Sequence, residues 1–121
     1  MPRVIHFEIP VDDADRAVAF YERAFGWRIQ KWGGPADYWL IDSGDAEEPG
    51  INGALTLRSS AEHVVNTIGV PSYDEYLAKV EAAGGKALTP KMTVPGVGYM
   101  AYCLDTEGNV FGIMQTDESA A

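Results

Sequence analysis

The stretch DDADRAVAFYERAFGW, residues 12–27, carries apolar side chains at Ala14, Ala17, Val18, Tyr21 and Phe25. That spacing puts them on one face of an α-helix, with Asp12 or Asp13 as N-cap and Gly26 placed to end it. A second stretch, PSYDEYLAKVEAAGGK at residues 71–86, repeats the pattern. Ser72 and Glu75 have the spacing of a capping box, Tyr73, Tyr76, Leu77 and Val80 form the face, and Gly84 and Gly85 stop the helix. Tyr73, Tyr76, Leu77, Val80 and Gly85 lie 59 residues after Ala14, Ala17, Val18, Tyr21 and Gly26 respectively. One offset for all the pairs means that the chain is two half-length copies of one unit.

Each helix follows a short apolar run, VIHFEI at residues 4–9 and VVNTIGV at residues 64–70, and precedes three more strand-like runs. In the first half these lie near Trp27–Trp32, Tyr38–Asp42 and Asn52–Arg58; in the second, near Lys86–Thr89, Tyr99–Asp105 and Val110–Thr116. The expected architecture is α+β, a single domain over residues 1–121 built of two tandem βαβββ modules, repeat 1 about residues 3–59 and repeat 2 about residues 63–117. Each half would curl its strands into a half-open sheet with the helix on the convex side, leaving a cleft lined by alternate residues of each strand. The linkers DSGDAEEPG (residues 42–50) and TPKMTVPGVG (residues 89–98) precede strands that would line this cleft. Both are candidate lids, with a plain surface loop the preferred reading of the first.

With 121 residues, 46% of them hydrophobic, the chain suits one compact core. No apolar run approaches the ~18 residues of a membrane span, and Glu8, Asp12 and Asp13 interrupt the N-terminal one, so the expectation is a cytoplasmic protein without a membrane partner. The single cysteine, Cys103, lies in the apolar run YMAYCL, excludes an internal disulfide and reads as a buried structural thiol. Acidic residues outnumber basic ones 18 to 9, the net charge is −9, and no basic cluster occurs. Nucleic acid and anionic lipid are therefore disfavoured as partners. A small cationic or neutral ligand fits better, although solubility alone explains the charge more plainly.

His6 and Glu8 stand out because they put two polar side chains into an apolar strand. Residues two apart on a strand share a face, so His6, Glu8 and Pro10 look the same way. They form either a dyad in which Glu8 orients His6 or moves a proton itself, or a hydrogen-bonded strand histidine beside a wet glutamate. His63 reads as a surface histidine. Arg58, Tyr99, Met100, Tyr102 and Met114 lie on strands that would form the cleft, and alternation separates Met100 and Tyr102 from Tyr99. Arg58, Tyr102, Met100 and Met114 are the candidate ligand contacts. Trp27, Trp32, Trp39 and Tyr38 read as sheet-stabilising or subunit-contact aromatics.

The repeated plan, with FYERAFGW closing the first helix and DTEGNVFGIMQ at residues 105–115, resembles the vicinal oxygen chelate superfamily over nearly the whole chain. That superfamily includes lactoylglutathione lyases, extradiol dioxygenases, fosfomycin-modifying enzymes and bleomycin-binding proteins, and the likeness is greatest to short glyoxalase-like members. The resemblance implies a homodimer, with the aromatic second and third strands as apolar surface for it. In metal-dependent members, four strands supply ligands to a divalent metal that polarises the substrate. Those positions fall on His6, Ala54, Val65 and Gly112, and three of the four have no donor atom. The expectation is therefore a small-molecule cleft with no cofactor and a degenerate metal centre, serving a metal-free binder or an enzyme that uses Glu8 and His6. The alternative is a divalent-metal-dependent lyase of the lactoylglutathione lyase type.

Overall fold

The computed structural model describes residues 2–58 and 62–121. The expected end of the first repeat, near Ser59, lies outside the described residues. The chain divides into two compact units: His6–Val65, and Asn66–Ala121 together with the first residues of the chain up to Ile5.

The first unit is built on β1 (Arg3–Val11), α1 (Ala14–Phe25), β2 (Arg28–Lys31), β3 (Tyr38–Asp42) and β4 (Gly53–Leu57). Its sheet runs β2-β3-β4-β1, antiparallel except for the parallel β4–β1 pair. Asp13 is the N-cap of α1, its carboxylate accepting from the Arg16 amide, and Gly26 ends the helix at φ 72°. Ala14, Ala17, Val18 and Tyr21 pack on Val11, Ile41 and Leu55, as their spacing predicts. Trp27 and Trp39 join the same core, which removes them from the apolar surface expected for a subunit contact. Phe25 departs from the predicted buried face: it is the last residue of α1, packs one side on Tyr21 and Trp27, and stays 63% exposed.

In the second unit the order is β5 (Val65–Gly69), α2 (Tyr73–Ala82), β6 (Lys86–Ala87), β7 (Met92–Val94), β8 (Gly98–Leu104) and β9 (Val110–Thr116). β5 and β9 pair in parallel, β9 and β8 antiparallel, and both β6 and β7 pair antiparallel with β8. Ser72 caps α2, accepting from the Glu75 amide, and Tyr73, Tyr76, Leu77 and Val80 pack on Val70, Ala101, Cys103 and Ile113. β7 corrects the reading of residues 89–98 as a lid: Met92 and Val94 pair with Met100 and Gly98 in a tight hairpin. Ladder hydrogen bonds hold that segment as sheet. In the other linker, Ser43 Oγ donates to the Ile51 carbonyl at 2.6 Å and the Ser43 amide donates to Asn52 Oδ1 at 2.9 Å, which closes the loop at its neck. Among the described residues no helix is long and apolar enough to cross a membrane.

Gly53 is the tightest point of the first sheet, where β4 meets Phe7. A Cβ added there would lie 2.5 Å from the Phe7 carbonyl oxygen and 2.6 Å from its ring. Backbone cannot yield as a side-chain tip does, so Gly53→Ala forces the strands apart and costs about 1–3 kcal/mol. The expected outcome is a clear fall in the thermal midpoint measured by calorimetry; an unchanged midpoint would show that β1 and β4 are less closely held than described.

Candidate functional site

The alternation along β1 decides which side chains the site contains. Phe7, Ile9 and Val11 face the helix-side core, so His6, Glu8 and Pro10 occupy the opposite face of the sheet. Pairing extends that face across the unit: Glu8 is opposite Ala54, Pro10 opposite Thr56, Tyr38 opposite Thr56 and Leu40 opposite Ala54.

On this face the Tyr38 hydroxyl donates to Glu8 Oε2 at 2.7 Å and lies 2.6 Å from His6 Nε2. Tyrosine has one hydroxyl proton, and it is directed at Glu8. His6 Nε2–H therefore donates to Tyr38 Oη, which leaves Nδ1 of the neutral imidazole as a proton acceptor. The three side chains form a directed chain, His6 to Tyr38 to Glu8. The His6 and Tyr38 rings stack with 14° between their planes, and Trp32 meets Tyr38 edge-on at 6.0 Å. Glu8 is only 6% exposed, so its carboxylate has little access to water, and a hydroxyl donor compensates part of that loss. Burial lowers the His6 pKa, against a smaller upward pull from Glu8.

Beside His6 lies a cavity of about 590 Å³, also lined by Arg28, Gln30, Leu40, Asp42 and Asn52. That is room for a small organic molecule against the acceptor end of the chain. Thr56, on the same face, is 7% exposed and its Oγ1 has no hydrogen-bond partner.

His6 and Glu8 are thus brought together, through a third residue. Tyr38 is the functional candidate missed in the sequence, where it read as a sheet or interface aromatic. The alternation of β3 carried the signal: Trp39 and Ile41 face the helix-side core, so Tyr38 and Leu40 share the face of His6 and Glu8. Arg58 is placed elsewhere. Its guanidinium pairs with Asp12 at 2.8 Å and reaches the Pro10 and Glu62 carbonyls at 3.4 Å, tying the end of β4 to the β1–α1 turn. In the second unit Met100 pairs with Met114 and Tyr102 with Gly112, on the face opposite α2, while Tyr99, Ala101 and Cys103 pack on the helix side. Burial pushes the Cys103 thiol pKa up, in keeping with a structural cysteine. His63 is exposed.

The residues present do not fit the divalent metal implied by the resemblance. Ala54 is fully buried and Val65 nearly so, and neither offers a donor atom. Gly112 could not carry a donor without rearrangement, because a Cβ there would lie 2.9 Å from Thr67 Oγ1. Among the described residues no group of three or more His, Cys, Asp or Glu side chains could hold a metal ion.

Comparison with known proteins adds the following. Residues 3–34 match the family described as bleomycin resistance protein-like, N-terminal. Proteins of Mycobacterium bovis and Mycobacterium tuberculosis, both provisionally designated glyoxylase CFP32, are 30% identical over 112 residues. The match covers 89% of this chain but 42% of theirs, so the chain spans less than half the length of these relatives. A variant of Streptomyces coelicolor methylmalonyl-CoA epimerase, solved in complex with 2-nitronate-propionyl-CoA, superimposes with a TM-score of 0.72 at 14% identity, over 98% of this chain and 97% of that one. A hypothetical protein from Bacillus halodurans gives a TM-score of 0.76 at 12% identity, over 99% and 98%. Both structures share the fold of this chain.

The lowered His6 pKa fixes the sign of a pH effect. A folded value below the ordinary 6.5 means that the unfolded chain binds the proton first. Neutral His6 therefore contributes fully above that ordinary value and its contribution is lost as pH falls below it. Between about pH 7.5 and 5.5 the thermal midpoint should drop further in the native protein than in His6→Gln, as read by scanning fluorimetry. Equal drops would mean that His6 titrates alike in both states.

Proposed function

Because this chain is a member of the vicinal oxygen chelate superfamily, we propose that it binds a small organic molecule against the helix-opposite face of its first βαβββ unit, without a complete metal site, and that His6, Tyr38 and Glu8 act on that molecule as a proton-accepting group. The single observation that carries this reading is the continuous hydrogen-bond chain from His6 through Tyr38 to Glu8 beside a ligand-sized cavity.

The chemistry follows from the direction of the chain. Nδ1 of neutral His6 takes a proton from the ligand, and positive charge forms on the imidazole ring. Its Nε2–H is already donated to Tyr38, whose own proton is donated to Glu8, so the buried carboxylate stabilises that charge through one intervening hydroxyl. Tyr38 fixes the tautomer and Glu8 fixes Tyr38. A compound with an acidic C–H beside a carbonyl would be a suitable substrate. The cavity also serves a binder that performs no chemistry, and the two are separable by experiment.

The probes follow from the relatives: methylmalonyl-CoA, the hemithioacetal of methylglyoxal and glutathione, and bleomycin, each titrated calorimetrically. At least one is expected to bind, with Tyr38→Phe and His6→Ala weakening it about tenfold or more and Glu8→Gln doing likewise, while far-UV circular dichroism stays unchanged. Affinity unmoved in all three variants would overturn the role of the chain. Solvent deuterium entering the bound probe at carbon marks an enzyme, and binding without exchange marks a binder. Native mass spectrometry before and after chelation should find no stoichiometric metal; a metal lost to the chelator would put the metal-dependent lyase first.

A further inference from the structure

The Thr56 hydroxyl is the one buried side-chain oxygen or nitrogen among the described residues that has no hydrogen-bond partner. The residue is 7% exposed, and it sits between Pro10 of β1 and Tyr38 of β3 on the face that carries Glu8 and His6. Directly paired residues hold their Cβ atoms about 4.5–5.5 Å apart, so Thr56 adjoins the Tyr38 side chain. An orphaned hydroxyl in such a place has a cost: valine has nearly the same shape and would fill the space without it. Packing therefore gives no reason for threonine at this position.

We infer that Thr56 is a ligand-recognition residue, its hydroxyl donating a hydrogen bond to an uncharged oxygen of the bound molecule, such as a carbonyl, ether or hydroxyl oxygen. This rests on the proposed ligand site at His6, Tyr38 and Glu8. The charge on the ligand oxygen follows from the neighbours. Thr56 shares its face with the buried Glu8 carboxylate, which repels an anion, and a hydroxyl with no other commitment is free to donate. Tyr38 cannot supply this donor, since its proton is directed at Glu8. Thr56 becomes reachable when the Tyr38 side chain, its cross-strand neighbour, moves aside for the ligand.

Two substitutions test the inference, and one readout needs no ligand. Thr56→Val should raise the thermal midpoint by a few degrees, because it removes an unsatisfied polar group. The same variant should bind the methylmalonyl-CoA, hemithioacetal or bleomycin probe about tenfold more weakly, with Thr56→Ser restoring most of the affinity. A lower midpoint for Thr56→Val would show that the hydroxyl is satisfied within the folded protein, by an internal water for example, and would overturn the inference. Unchanged probe affinity in Thr56→Val, with affinity lost in Tyr38→Phe, would overturn it while leaving the site reading intact. Failure of the native protein to bind any probe would remove the site reading and this inference with it, whatever the direction of the thermal shift.

Discussion

Phe7 and Gly53 face each other across the parallel β1–β4 pair, and the register set there decides what both faces of the first sheet contain. With Phe7 against a residue that lacks a Cβ, its ring and carbonyl can lie where any other side chain would collide. Phe7, Ile9 and Val11 then meet α1, and His6, Glu8 and Pro10 are turned away from it. A slip of one residue would send Glu8 under the helix among Val18, Tyr21 and Leu55, where a carboxylate has no donor, and would expose the apolar set. The core and the candidate site are thus two results of one pairing.

That pairing creates a problem which the site solves. A glutamate with 6% of its surface exposed needs hydrogen-bond donors close by, and Tyr38 provides one from a neighbouring part of the same sheet. Tyr38 is in turn held by His6 through its hydroxyl and by Trp32 against its ring. Each polar group fixes the orientation of the next, so the tautomer of His6 follows from where Glu8 is buried. Such departures from an apolar interior are costly and concentrate where a fold carries its function.

Local pattern made the modular plan legible. The matching spacings of the two helices, their Asp13 and Ser72 caps and the alternating strands all follow from 3.6-residue and two-residue periods, which need no knowledge of distant contacts. What lay beyond that reading depends on tertiary placement. The Tyr38 hydroxyl meets His6 and Glu8 across 32 and 30 residues of sequence, through the position of β3 in the sheet. Phe25 has the right spacing for the core but stands at the last turn of α1, where its ring extends into solvent. β7 escaped notice because Pro90, Pro95, Gly96 and Gly98 make residues 89–98 look like a loop, although Met92 and Val94 between them pair with β8. The missing donors at Ala54, Val65 and Gly112 were visible as residue types; that Thr56 is an unpartnered neighbour was not.

The close approach of Gly112 to Thr67 limits how this chain could change its chemistry, by design or by descent. A side chain able to coordinate a metal cannot simply be exchanged into position 112, since its first carbon would already crowd the Thr67 hydroxyl. Thr67 is itself 3% exposed, with no open space to turn into. The smaller partner must come first, as in Thr67→Gly or Thr67→Ala, and only then can a ligand-bearing residue follow. The order of steps is therefore constrained, and an intermediate with a cavity but no metal lies on the way.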